Sequence, residues 1–348
     1  MNFPSASAGV LREHRFFLGV VGTYLAAAVA LDRLGVVPGL ARTLTYTLAY
    51  LVAPAVAWIP VVGTFLLNRL TLQDSRGQRI RIDGWPGWVA AYRTGTVTRE
   101  RIARLVVVAF AMAVFLNTFG WWKGAIPVLH PFALDPELAS LDRALHFGRH
   151  PWEWLQPVLG HRGMTQALDQ AYWLWLLLIP LATLWQGWNR DLRTQRQFFL
   201  AFVLAWITLG TGLATLWSSA GPCFYDVVAG APSPYTELLR YLDSVRYADH
   251  ALYARMTQDT LWQNYLREPD NPWVRISAMP SVHIATCVLY VLAARRASRV
   301  LTAIAAGYAL VILLGSVHLG WHYAVDGYVS LVLTPVIWWV SGQLLAAD

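Results

Sequence analysis

Two short stretches of the chain carry residue types that can move a phosphoryl group. In His318-Leu319-Gly320-Trp321-His322-Tyr323-Ala324-Val325-Asp326, His322 and Asp326 are four apart, which puts both on one face of a helix. A carboxylate against one imidazole nitrogen fixes the ring tautomer and stabilises the protonated ring. A nucleophilic or general-base histidine needs that support. In Ser277-Ala278-Met279-Pro280-Ser281-Val282-His283, proline suits the first turn of a helix. The free amides of such a turn attract anions, phosphate among them, and His283 sits one turn in. Two histidines, one oriented by aspartate, beside an anion-binding helix end describe phosphoryl transfer through a phosphohistidine. Positioning and electrostatics do most of the work in such reactions. A metal site of His318, His322 and Asp326 is the alternative, since His318 and His322 are also four apart. Trp321 and the apolar surroundings speak against it, and no metal or cofactor is expected.

The elements that must position these residues are apolar helices. The chain has 348 residues, 56% hydrophobic and 14% charged, with 18 tryptophans; a soluble domain carries about a quarter charged residues. Stretches long enough to span a bilayer fall at 17–36, 44–66, 104–122, 171–188, 198–217, 281–296, 300–317 and 324–345. The sixth is short and opens on polar residues. The expected fold class is therefore all-α, a polytopic integral membrane protein of about eight spans. Residues 1–68 form two N-terminal transmembrane helices, 69–103 a basic cytoplasmic segment, and 104–348 a six-helix core with long outer loops at 123–169 and 218–279. In the first loop, Leu138 to Leu145 has helical apolar spacing and reads as a helix on the membrane surface. In the second, a helix is expected around 246–266. Alternation in Arg79-Ile80-Arg81-Ile82-Asp83-Gly84 suggests a short strand and turn.

The net charge of +7 does not point to nucleic acid. Its arginines cluster before the first span and in the segments around 69–104, 190–196 and 295–299. With eight spans all of these fall on one side, as the positive-inside rule expects. Both termini are then cytoplasmic, and both histidine stretches face outward, to a periplasm or lumen. A bacterial inner membrane is expected. The first apolar run has the features of a signal peptide too, but its length favours an uncleaved helix. Cys223 and Cys287 are expected to be free thiols.

Pro280-Ser281-Val282-His283 resembles the PSxH motif of the type 2 phosphatidic acid phosphatase superfamily. His322-Tyr323-Ala324-Val325-Asp326 looks like its HxxxD motif, and more closely the HYxxD form of inositol phosphorylceramide synthases. Motif order, spacing and a six-helix core are similar over roughly 104–345. The resemblance implies that His322 attacks phosphorus, that Asp326 orients it, and that His283 protonates the leaving alkoxide and then deprotonates the acceptor.

The departures from the family pattern bear on substrate. The phosphatases' KxxxxxxRP stretch corresponds to Ala214 through Gly221-Pro222, where both cations are missing, and Ser316 stands where those enzymes have arginine. Fewer cations suit a phosphodiester monoanion better than a monoester near-dianion. Arg275, eight residues before His283, is the first candidate for a substitute; Lys123, Arg240, Arg246 and Arg267 also fall on the outer side. Ser281, Ser316, His318 and Tyr323 are further substrate-binding candidates, as are Tyr225 and Asp226 for a polar head group. Asp169 and Tyr172 are placed to line the cavity.

The expected activity is transfer of a phospho-head group from a phospholipid donor to a lipid alcohol. Two alternatives stay open: a lipid-phosphate or polyprenyl-diphosphate phosphatase with water as acceptor, and a non-catalytic lipid-binding or transport protein.

Overall fold

A computed structural model of the chain describes residues 9–41, 72–73, 79–80, 98–267 and 275–347. The expected span at 44–66 and most of the 69–103 segment lie outside the described residues. Leu72–Gln73 (β1) pairs antiparallel with Arg79–Ile80 (β2); the rest of the expected strand and turn is also outside them. All other elements that follow are helical.

Six helices among the described residues are long and apolar enough to cross a membrane. They are Arg15–Arg33 (α1), Arg99–Leu129 (α2), Arg162–Gly187 (α5), Leu192–Leu216 (α6), Arg299–His318 (α11) and Ala324–Ala346 (α12). Between them lie Asp135–Leu145 (α3), Pro151–Leu159 (α4), Tyr225–Val228 (α7), Thr236–Ser244 (α8) and Tyr253–Arg267 (α9). Val282–Ala294 (α10) is apolar but has only 13 residues. At 1.5 Å per residue it is shorter than the ~30 Å hydrocarbon layer. It is apolar on nearly every face because it packs inside the bundle, against α6, α11 and α12. The surrounding helices turn Val106, Phe110, Leu177, Val300 and Val332 outward, as lipid-facing helices do.

Start signals in the sequence fix several helix ends. Thr98 accepts from the Arg101 amide and opens α2; Ser298 accepts from Leu301 and opens α11. The α6 ladder loosens into a π-helical stretch over Thr208–Leu213, which contains Gly210 and Gly212. A Cβ on Gly210 would stand 2.6 Å from Val282 and 2.7 Å from Phe119. The glycine therefore lets α6 approach the start of α10 closely.

At the arginine-rich end, Arg101 donates to the Trp188 carbonyl, Arg104 pairs with Glu13 and Arg296 donates to Thr194. The histidine stretches lie at the opposite end of the same helices. There α5 runs nine residues further toward its N-terminus than the apolar run at 171–188 implies, and α2 runs on to Leu129. The expected helix around 246–266 starts later, at Tyr253, with α8 as a separate helix before it. The expected helix at 138–145 is present as α3, and it exposes Leu141 and Leu145 while burying Leu138, Ala139, Asp135 and Asp142. Asp135 and Asp142 are seven apart and so lie on that buried face.

Candidate active site

Gly320 starts the assembly of the site. It follows α11 with φ of +73°, the left-handed residue that ends many helices. The chain then doubles back, so the amides of Trp321 and His322 both donate to the Ser316 carbonyl, at 2.9 and 3.1 Å. His322 is thereby set over the end of α11, 5% exposed. Asp326, one turn into α12 and fully buried, has two partners for Oδ2. It accepts the Tyr323 amide at 3.1 Å, closing the start of α12, and it meets His322 Nδ1 at 3.1 Å.

Ser281 and His283 arrive on α10. The Met279–Pro280 peptide bond is cis. The Ser281 hydroxyl caps the Ile284 amide, and the Ser281 amide donates to the Asp326 carbonyl at 3.2 Å. This bond ties the start of α10 to α12. With Nδ1–H donated to Asp326, His322 Nε2 is left as an acceptor. It faces His283 Nδ1 and Ser281 Oγ, each at 3.2 Å. His283 is packed between Trp175 and Tyr172, with ring centroids 4.2 and 4.8 Å away, and Tyr172 stacks on Trp321. Burial first, and the Lys123 ammonium second, hold His322 far below the ordinary imidazole range, at about 3. A ring held so is neutral at physiological pH, with its lone pair on Nε2 available to attack an electrophile.

The loop 217–224 clips the two histidine stretches together. Ser219 takes the Ala278 amide on its carbonyl and the Met279 amide on its hydroxyl. Cys223 donates to the Gly320 carbonyl at 2.9 Å. Gly221, at φ +103°, is packed so closely that a Cβ would stand 2.8 Å from the Trp321 carbonyl oxygen. Both cysteines are free.

A family model described as PAP2 superfamily matches residues 136–340, more than half of the chain and inclusive of both histidine stretches. The chain belongs to the PAP2 superfamily. No curated protein and no solved structure matches it. PAP2 membership makes it a membrane enzyme of the phosphatase or phosphotransferase type, acting on lipid substrates. The clip loop falls largely within 214–222, a stretch with two serines and no basic residue.

The structure brings His322, His283, Asp326 and Ser281 together and distributes the other candidates around them. Ser316 supports His322 through its carbonyl, while its hydroxyl donates to Leu313. His318 Nε2 meets Thr165 Oγ1 at 2.9 Å on α5, so it is not gathered with His322 and Asp326 as a ligand set. Among the described residues no His/Cys/Asp/Glu group is arranged to hold a metal ion. Tyr323 donates its hydroxyl to Asp135 at 2.8 Å. Tyr225 is buried edge-on to Tyr235, and Asp226 accepts the Ser233 amide at an exposed turn. Asp169 holds the start of α9, accepting from Tyr253, Ala254 and the Tyr247 hydroxyl. Arg275 lies against Gly120 on α2. Arg240 instead lines a cleft of about 840 Å³ with Arg149, His150 and Glu237.

Three residues with structural duties at the site escape a reading of the two motifs. Asp135 accepts the Ala220 and Gly221 amides at 2.9 and 2.8 Å, anchoring the clip loop. Asp142 accepts the Ala324 and Val325 amides at 2.8 and 3.0 Å, anchoring the first turn of α12. Burial raises Asp142 to about 6, against the lowering pull of those amides. Trp175 packs on His283. The spacing of the two aspartates, on the stripe that holds Leu138 and Ala139, is a signal that was available in the sequence.

Proposed function

We propose that this PAP2 enzyme is a phosphotransferase that moves a phospho-head group from a glycerophospholipid to a lipid alcohol, in the manner of the inositol phosphorylceramide synthases. The observation that carries this reading is the alignment of Asp326, His322 Nε2 and His283 Nδ1 in one buried relay. His322 Nε2 forms a bond to phosphorus as the bond to the glycerolipid oxygen breaks. His283 gives that oxygen its proton. The acceptor hydroxyl then loses its proton to His283 and attacks the phosphohistidine, and the N–P bond breaks. Asp326 keeps the Nδ1 proton in place and balances the charge that forms on the ring. At 3.2 Å the two imidazoles are in direct hydrogen-bond contact. A phosphorus centre with its leaving oxygen in line with His322 needs more room than that, so bound substrate parts them.

The absence of basic residues from 214–222 and of arginine at position 316 favours a singly charged diester over a monoester. In this reading the arginine-rich end is cytoplasmic and the relay faces the periplasm or lumen. The six spans, α10 and the apolar stretch at 44–66 make up the eight crossings. Residues 1–68 and 69–103 then precede a core at 104–348.

Incubating the purified enzyme with a glycerophospholipid labelled in its phosphate and a lipid alcohol tests the proposal. Label should pass into a new lipid, and His322→Ala should abolish the transfer while still folding. Label released as inorganic phosphate with no new phospholipid would establish the phosphatase instead. Function undiminished in His322→Ala would fit a non-catalytic lipid-binding protein.

A further inference from the structure

The two histidines of the relay are held by different means. Asp326 meets His322 at Nδ1, 3.1 Å away, and so balances positive charge on that ring. Among the described residues no acidic side chain pairs with His283. Its Nδ1 meets His322 Nε2 at 3.2 Å. The titratable groups that act on it are His322 and Lys123. Lys123, on α2, donates to the Ser277 carbonyl at 3.0 Å, in the segment that leads to His283. An ammonium so placed opposes a second positive charge. Yet the proposed mechanism needs a charged His283 twice, before it protonates the leaving oxygen and after it deprotonates the acceptor.

The neighbours that His283 does have are aromatic. The Trp175 ring centroid stands 4.2 Å from that of the imidazole with 43° between the planes, and the Tyr172 centroid 4.8 Å away with 33°. Trp175 and Tyr172 are three apart on α5 and so share one face of it. Each is packed against a further ring in a nearly parallel plane. Trp206 lies 6.0 Å from Trp175, and Trp321 lies 6.2 Å from Tyr172, each at 5°. Trp206 is fixed in turn by its indole N–H, which donates to Thr286 Oγ1 on α10 at 3.0 Å. Trp175 and Tyr172 are only 4% and 8% exposed, so water screens them little. A cation within about 6 Å of an aromatic centroid is attracted by the negative face of the ring, most of all by tryptophan and more strongly away from water. Both centroids lie inside that range.

We propose that Trp175 and Tyr172 are positioning residues that stabilise the protonated form of His283, in the place that a carboxylate takes beside His322. This rests on the reading of His322 as the nucleophile and His283 as the acid and base. In the first step the His283 N–H bond breaks and an O–H bond forms on the leaving oxygen as its bond to phosphorus breaks, and the ring becomes neutral. In the second the acceptor hydroxyl gives its proton to His283, its oxygen bonds to phosphorus and the N–P bond breaks, and the ring charge returns. The aromatic faces keep the charged ring populated before the first step and stabilise the charge that grows in the second.

The test uses the full-length enzyme in detergent with a matched pair of phosphate esters, one losing p-nitrophenolate and one a primary alcohol. The pair is made both as alkyl diesters and as monoesters, and the form that the enzyme cleaves is used. Nitrophenolate departs without a proton and the alcohol does not, so kcat/KM for release of the leaving group isolates the proton given by His283. Fluorinated tryptophans installed at position 175 by nonsense suppression weaken the negative face of the ring and keep its shape. With three fluorines kcat/KM for the alcohol ester should fall about tenfold, through intermediate values with one and two, while that for the nitrophenyl ester falls less than about twofold. Equal loss on both esters, or no loss on either, overturns the proposal. Tyr172→Leu should show the same selective loss, and Tyr172→Phe should recover it, because phenylalanine keeps the face without the hydroxyl. A Tyr172→Phe enzyme as impaired as Tyr172→Leu overturns the role given to that face. His283→Gln locates any failure. It should cost the alcohol ester about 100-fold or more and the nitrophenyl ester far less. If it does while the fluorinated enzymes match wild type, the aromatic faces are refuted and His283 stands as the acid. If His283→Gln impairs both esters alike, the reading of His283 itself fails, and the proposal with it.

Discussion

Gly221 touches no reacting atom in the proposed mechanism, yet its replacement by alanine should disable the enzyme. Its φ of +103° and ψ of 166° lie in a region that is essentially glycine-only and costs other residues about 1–3 kcal/mol. A Cβ there would also stand 2.8 Å from the Trp321 carbonyl oxygen and 3.1 Å from the Ala278 Cβ. The first neighbour is backbone, so relief requires moving the clip loop or the segment next to His322. The second lies in the segment that leads to His283. A shift of about 1 Å in a catalytic group can cost on the order of 100-fold in rate. Gly230→Ala is the matched control. It shares a positive φ, +62°, and has nothing within 4 Å of its Cβ position, so it carries backbone strain alone. Thermal unfolding followed by tryptophan fluorescence, together with phosphate-transfer assays, would separate the two effects. Both variants should lose about 1–3 kcal/mol of stability, but only Gly221→Ala should lose about 100-fold or more in turnover. A folded Gly221→Ala enzyme with wild-type turnover would refute the claim that the clip loop sets the distance between the histidines.

Asp326→Asn should lower kcat by about 10³- to 10⁴-fold with a smaller change in KM, because an amide cannot hold the Nδ1 proton and balance the ring charge; steady-state kinetics in detergent would read this. His318→Gln should keep turnover within about threefold and cost about 1–2 kcal/mol of stability, since it breaks the contact with Thr165 and the ring contact with Tyr241; a dead but folded variant would return His318 to the site. Asp142 binds its proton more tightly folded (about 6) than an unfolded aspartate does (about 4). The folded state therefore carries more protons in that window, and the stability Asp142 contributes is full below about 4 and falls as pH rises through about 6. That slope should be present in wild type and missing in Asp142→Asn, as measured by unfolding across pH.

Helix placement was legible in the sequence where physics is one-dimensional. Apolar runs located α2, α6, α11 and α12, and proline and serine at 280–281 located the start of α10. The end of α2 and the start of α5 were not, because Lys123 interrupts the α2 apolar run and the opening turns of α5, from Arg162 to Gln170, are rich in polar residues. At the site, the spacing of His322 and Asp326 and the pairing with His283 could be inferred. The destinations of His318, Tyr323 and Asp226 could not, since a polar side chain near a motif can face any of several buried partners. Asp135 and Asp142 share the apolar stripe of Leu138 and Ala139, but that spacing does not say what they bind. Folding uses them to satisfy pairs of buried amides, a demand visible only once the clip loop and α12 lie against α3.

The central claim is a covalent phosphohistidine at His322. Brief exposure of the enzyme to phosphate-labelled glycerophospholipid without acceptor, followed by an alkaline quench and peptide mapping, tests it directly. Acid-labile label should appear on the peptide that contains His322, be discharged by a lipid alcohol and be missing from His322→Ala. Rapid turnover with no protein-bound label, or label carried equally by His322→Ala, would contradict it.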